Sequence, residues 1–452
     1  MNRSEERLGT APLLKLVFSL GIPAVLAQLV NLLYSLVDKI YIGHIEGVGA
    51  LALTGMGLCT PIILVVSAFA AFAGSGGAPL AAMELGRGDR EKASRILNNA
   101  FLMLLAFSVV LSAALMCLRE PLLRFFGASD DTISYADSYL RIYLCGTLFV
   151  QLSLGLNSFI SCQGQAKTAM LSVLIGAVSN IILDPIFIFV FRMGVAGAAV
   201  ATVISQAISA VWVLRFLISE KSAIRISARF LKPIPEVLAG IAALGISPFI
   251  MQSTESLISI VFQNGLQRYG GDIYVGTYTI LSSVLSLMTF PVNGFAYGAQ
   301  PIISYNYGAG DYSRVKKTYG IITAVCFAYV ALFYVAVCIF PHGMAGAFTS
   351  DSTLAGLAAS KLPLFLGGMV IFAFQMSGQV TLLGIGKTKQ SLFLACLRKI
   401  ILLTPLALIL PNFFGVNGIY WAEPISDTIS AVVCILIFVG ICRKELGSQP
   451  QT

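Results

Sequence analysis

The chain has 452 residues, of which 57% are hydrophobic and 11% charged, against roughly 25% charged in an average soluble domain. That composition excludes a water-soluble globule. The formal net charge of +8 does not point to nucleic acid, because the basic residues are scattered over short polar segments with little aromatic interleaving; contact with anionic inner-leaflet lipid accounts for them.

A helix crosses the hydrocarbon layer in about 20 mostly apolar residues. Stretches of that length recur from Leu13 to Ile441, near residues 13–42, 49–82, 94–118, 132–161, 168–191, 195–217, 235–266, 272–305, 317–340, 353–383, 388–411 and 415–441. Runs such as Phe101 to Leu118 and Ile321 to Phe340 are apolar on every side, whereas barrel strands alternate. An all-α membrane protein of twelve spans is expected. The leading MNRSEERLGTAPLLK carries acidic residues and no small-residue cleavage site, so a removable signal peptide is not expected.

Lys and Arg gather in short cytoplasmic loops. Here GRGDREKASR, GQAK, SEKSAIRISARFLK, GDYSRVKK and GKTK fall in the even-numbered connections, with Arg3, Arg7 and Lys15 in front and Arg443 and Lys444 behind. Both termini are therefore expected in the cytoplasm, and the chain in a plasma or bacterial inner membrane. The nine cysteines form no CxxC pair and read as small buried hydrophobes. His44 and His342 fall in predicted loops, so no histidine metal site, and no cofactor, is expected.

The two halves superpose in sequence. LGIPAVLAQLVN (Leu20 to Asn31) lies over LGISPFIMQSTE (Leu244 to Glu255), placing Gln28 over Gln252 and Asn31 over Glu255. Pro79 with Gly86-Arg-Gly-Asp89 lies over Pro301 with Gly308-Ala-Gly-Asp311, Asp184-Pro185 over Thr404-Pro405, and Gly194-Val-Ala-Gly197 over Gly415-Val-Asn-Gly418. An even number of spans per repeat gives parallel repeats, a transporter signature. The expected domains are an N-terminal six-helix lobe at 1–220, a cytoplasmic linker at 221–234 and a C-terminal six-helix lobe at 235–452, two pseudo-symmetric bundles around a central cavity.

An ionisable side chain inside a span costs about 2.5–3.5 kcal/mol on insertion scales and marks function by default. The candidates are Asp38, Asp184, Glu255, Glu423 and Asp427, with Arg398 and Lys399 as basic partners. At about 1.5 Å per residue, Asp184 lies roughly 25 Å from Lys167, and Thr202 roughly 12 Å below Gly194. Asn180 shares a helix face with Asp184, and Asp38 lies far along the first span. Two carboxylates in a dehydrated pocket repel, so the group can take up a proton; its oxygens suit a hard cation such as Na+ equally well. The bland alternative for Asp38 is an interfacial residue paired with Lys39.

In the second half Thr404 replaces the aspartate and Phe262 stands where Asp38 would. The first lobe is expected to bind the coupling ion, and Glu255, Glu423 and Asp427 to add acidity toward a cationic substrate; pairing of the last two with Arg398 or Lys399 is the alternative. Gln28, Asn31 and Gln252 join the second-lobe and substrate candidates.

At these residues the chain resembles the multidrug and toxic compound extrusion family over nearly its whole length. The resemblance is carried by Pro23 to His44 with its VDKIYIGH, ELGRGDREKA, SNIILDPIFIF, MGVAGAAVATVISQ and NYGAGDYSRVKK. It implies two six-helix lobes about a cavity, alternating access, and extrusion of organic cations in exchange for Na+ or H+; the chain is expected to act as a monomer. Its first-lobe cation site maps onto Asp38, Asn180, Asp184 and Thr202, and Glu255 matches a seventh-helix acid implicated in some branches. An eleventh-helix acid is missing, since Thr404 occupies that span.

Two rivals remain at this stage. A lipid-linked precursor flippase requires a cavity lined with Arg and Lys, whereas the intramembrane charge here is mainly acidic. A membrane-embedded enzyme requires a nucleophile, metal set or phosphate loop within the spans, and no such constellation is present in the sequence.

Overall fold

The computed structural model describes residues 3–45, 48–349 and 351–444, and they are almost wholly helical. The first half runs α1 (Arg3–Thr10), α2 (Leu13–Gly43), α3 (Gly49–Gly86), α4 (Arg90–Phe125), α5 (Ile133–Cys145), α6 (Thr147–Ser161), α7 (Ala166–Pro185) and α8 (Val195–Ile218). The second runs α9 (Pro235–Gly270), α10 (Asp272–Gly308), α11 (Tyr312–Ile339), α12 (Pro341–Gly346), α13 (Ser352–Leu366), α14 (Met369–Gly384), α15 (Thr388–Cys396), α16 (Thr404–Ile409), α17 (Pro411–Phe414) and α18 (Val416–Lys444). Ten helical stretches among the described residues are long and apolar enough to cross a membrane, and twelve when the bent pairs α5–α6 and α13–α14 each count as one span. The protein is a multi-pass membrane protein.

The pairs bend by 59° and 49°, at Gly146 in the first and Gly367–Gly368 in the second. Continuous apolar composition conceals both bends. Two more departures from the expected elements are short helices: α1, and α12, on which His342 stands in place of a loop.

The duplicated sequence is also a duplicated backbone. Gly88 and Gly310 have φ of 83° and 80°, Gly164 and Gly386 77° and 74°, and Gly194 and Gly415 both 57°. This left-handed region favours glycine, so the repeat preserves a conformation as well as a residue. After the first pair, the carboxylate of Asp89 accepts from the Lys92 amide at 2.8 Å and that of Asp311 from the Arg314 amide at 2.9 Å. Each caps the next helix, satisfying a backbone donor the helix itself leaves open.

The chain falls into two compact units, Met1–Thr10 with Leu26–Gln252, and Ala11–Val25 with Ser253–Thr452. These differ from lobes cut at the 221–234 connection, because the boundaries run through α2 and α9. Close backbone approaches at glycine occur on these helices within each unit. Within the first unit a Cβ on Gly76 would strike the Ile241 carbonyl, and one on Gly245 the Phe72 carbonyl; α3 and the leading half of α9 thus pack backbone to backbone. The second unit repeats the arrangement with α10 and the leading part of α2, where a Cβ on Gly298 would come within 2.8 Å of the Leu20 oxygen.

The 221–234 connection is stitched to the first unit. Asn98 donates to the Arg225 carbonyl at 2.8 Å and accepts from the Ser227 amide at 3.0 Å, Asn99 accepts from the Ile234 amide at 2.7 Å, and Gln163 accepts from the Ala223 amide at 2.6 Å. Buried side-chain amides here replace the ladder partners that an irregular segment lacks.

Candidate functional site

Proline organises the backbone at the acidic residue of α7. Pro185 supplies no amide hydrogen, and the helix passes into a π turn, Ile186–Val190, directly after it. Such turns widen a helix and recur at functional sites. Asp184 is held immediately before this turn, with none of its surface exposed.

Around it the first unit gathers Asp38 from α2, Asn180 from α7 and Thr202 from α8, at 2%, 1% and 4% exposure. The Asn180 amide donates to Asp184 Oδ1 at 3.2 Å and lies 3.5 Å from the Thr202 hydroxyl. Asp38 and Asp184 are close enough to repel one another. Three buried oxygens, Asp38 Oδ1, Asn180 Oδ1 and Asp184 Oδ2, have no hydrogen-bond partner. Burying a polar group unpaired is costly, and such atoms in a native fold call for an explanation. Every unsatisfied group is an acceptor, and the set has the chemistry to take a proton or a small hard cation.

Lys39 is exposed while Asp38 is buried. The interfacial alternative for Asp38 therefore does not describe its position. Two residues of this cluster went unnoticed in the sequence: the hydroxyls of Tyr34 on α2 and Tyr139 on α5 lie beside that of Thr202. Tyr34 stands one turn before Asp38, and that spacing was a usable signal. Nothing in the sequence signalled Tyr139, which arrives from a helix distant along the chain.

The second unit answers the question that the sequence left open about its acids: they are paired. A π turn, Leu397–Leu403, separates α15 from α16. The Thr404 hydroxyl donates to the Lys399 carbonyl at 2.8 Å, so the residue standing in place of an aspartate serves the helix backbone. Arg398 and Lys399 are both buried on this turn, at 8% and 4% exposure. Neighbours on a regular helix point about 100° apart; the wider turn brings both toward the interior.

Arg398 Nε meets Asp427 Oδ1 at 2.7 Å and its Nη2 meets Glu423 Oε1 at 3.0 Å. Its guanidinium also lies 4.1 Å from the centre of the Phe372 ring, a cation–π position. Lys399 Nζ meets Glu255 Oε2 at 2.7 Å. Gln28 and Gln252 are half-buried and Asn31 is exposed. Among the described residues, none of these three joins the hydrogen bonds recorded for either cluster.

A duplicated bundle of membrane helices, with unpaired carboxylates in one repeat and ion-paired ones in the other, defines an integral membrane protein of the internally repeated transporter type. The chain belongs to the MatE family, whose model matches residues 23–186 and 247–409. It is 24% identical over 428 residues to the multidrug export protein MepA of Staphylococcus saprophyticus, covering 94% of this chain and 93% of that one. It is 24% identical over 441 residues to MepA of Staphylococcus aureus strain NCTC 8325, covering 96% and 95%.

Solved structures share the fold. A multidrug resistance MATE family transporter in an outward-facing conformation superposes with a TM-score of 0.90 at 24% identity, over 100% of this chain and 99% of that one. A MATE protein in a bent conformation gives 0.91 at 24% identity, over 99% of each. A MOP superfamily transporter from Pyrococcus furiosus, reported with a binding pocket of reversed polarity suggesting a different function, gives 0.90 at 24% identity, over 97% of this chain and 99% of that one.

Proposed function

We propose that this protein is a secondary active antiporter that exports organic, lipophilic cations in exchange for H+ or Na+ by alternating access. The observation that carries this reading is the set of unpartnered oxygens on Asp38, Asn180 and Asp184. A mobile cation satisfies them, and the repulsion between the two carboxylates favours its arrival.

In this reading a cation entering from outside occupies the Asp38/Asp184 pocket and draws α2 toward α7. Pro23 lies inside α2 and gives that helix a place to bend. The bend then repacks the first lobe and releases the bound drug, with no requirement that drug and ion touch. Multidrug export by the MepA relatives, and the bent conformation of a structural neighbour, support the reading by analogy. The distribution of Lys and Arg supports cytoplasmic termini, and a monomer is sufficient because each chain holds both repeats.

The flippase alternative draws on Arg398 and Lys399. Each is already bonded to a carboxylate, which disfavours a phosphate there. The test is efflux of a fluorescent cation from proteoliposomes with sodium and proton gradients imposed separately. Either gradient alone driving efflux in the wild type, and failing with Asp184→Asn, is the expected result; undiminished transport by that variant under both gradients would reject the ion site.

A further inference from the structure

Three carboxylates, Glu255, Glu423 and Asp427, share two bases, Arg398 and Lys399. That leaves one negative charge in excess among groups that are otherwise matched. One acceptor of the cluster is also left open. Asp427 Oδ2 is buried with no partner, in a residue with none of its surface exposed.

The two ends of the cluster differ in surface exposure. The Glu255 side chain is 57% exposed while that of Lys399, its partner, is 5% exposed. Lys399 also lies within electrostatic reach of Glu423 and Asp427, and it directly follows Arg398, which already bonds both. Its ammonium is a compact charge on a flexible stem; it is bonded at Glu255, while the cluster's unpartnered acceptor is at Asp427.

We propose that Lys399 is an internal stand-in for substrate: it neutralises Glu255 in the empty protein, and moves to Asp427 and Glu423 when an organic monocation docks on Glu255. Without ligand each carboxylate has a basic neighbour but one negative charge is in excess; with the monocation on Glu255, three carboxylates face three positive charges. A cationic ligand therefore enters without leaving a buried charge uncompensated, a penalty that otherwise opposes such binding. The preferred ligand has a single delocalised or substituted positive centre; a dication or an anion would leave the cluster with an unmatched charge. The inference rests on the export reading above for its class of substrate.

The test is binding of tetraphenylphosphonium to the purified full-length protein in lipid nanodiscs, by equilibrium dialysis. Lys399→Gln removes the competitor and is expected to tighten binding by about tenfold or more, Lys399→Arg to stay near the wild type, and Glu255→Gln to weaken it by a similar factor. Asp427→Asn removes the vacant acceptor and is expected to weaken binding although it does not touch the ligand, and to have no effect when Lys399→Gln is already present. Binding unchanged or weakened by Lys399→Gln, or weakened equally by Asp427→Asn in both backgrounds, overturns the exchange. Absence of binding to the wild type overturns the export reading with it, so the two failures are distinguishable.

Discussion

The Asn180 amide donates to Asp184 across one turn of α7, yet Asn180 Oδ1 and Asp184 Oδ2 are both buried without a partner. One bond fixes the orientation of the pair, and two buried acceptors are left open.

Asp184→Asn keeps the shape of that pair and removes one of two repelling charges. In the absence of a coupling ion the variant is expected to unfold at a higher temperature than the wild type, by detergent melting. Ion-driven efflux is expected to fall by about 5- to 150-fold, the usual span of a coupling free energy. Asn180→Ala removes the donor instead and is expected to lower stability by about 1–3 kcal/mol; a melting temperature equal to the wild type would show that the bond does not hold the pair.

Arg398 bridges Glu423 and Asp427 in a buried setting. Truncation to Ala leaves two carboxylates without their base and is expected to destabilise the second unit by about 3–5 kcal/mol. The triple variant Arg398→Met, Glu423→Gln, Asp427→Asn is expected to recover most of that loss, because no charge then stays uncompensated. Thermal melts of both proteins check the pair; equal melting of the single and triple variants would contradict it.

Gly245→Ala places a methyl against the Phe72 carbonyl, where backbone cannot yield as a side chain can. A loss of about 1–3 kcal/mol is expected. Gly57→Ala, in α3 with nothing within 4 Å of the added carbon, is the control and is expected to be neutral or stabilising by up to about 1 kcal/mol. If the two melt alike, the close approach of α3 and α9 at Gly245 adds nothing measurable to stability.

Asn98→Ala removes both bonds to the inter-repeat connection. Faster cleavage between residues 221 and 234 in limited proteolysis is expected, with an opening less costly by about 1–3 kcal/mol, the penalty of unsatisfied backbone groups. An unchanged cleavage rate would mean that the remaining anchors, among them Ser94, Asn99 and Gln163, are enough to hold the segment.

Helical type, the number of spans and the repeat were legible in the sequence because each is written in long-range composition. Apolar runs of membrane length admit only helices whose backbone groups are satisfied internally, and glycine and aspartate at a near-constant offset recorded turns that the backbone repeats at Gly88 and Gly310. The juxtaposition of Asp38, Asn180, Asp184 and Thr202 was also approachable, since depth along a helix follows from residue number. Tyr139 was not, because depth says nothing about which neighbouring helix stands beside a site.

The sequence by itself determined that this is a duplicated helical membrane protein with acids in its spans, because hydrophobic length and helical rise are one-dimensional quantities. Tertiary structure alone decided which acids are paired. Glu423 and Asp38 are both carboxylates in apolar frames, but Arg398 reaches the first through a π turn while no basic side chain is bonded to the second among the described residues. Charge compensation depends on distances between helices, and those are set by packing across the bundle and not by position along the chain.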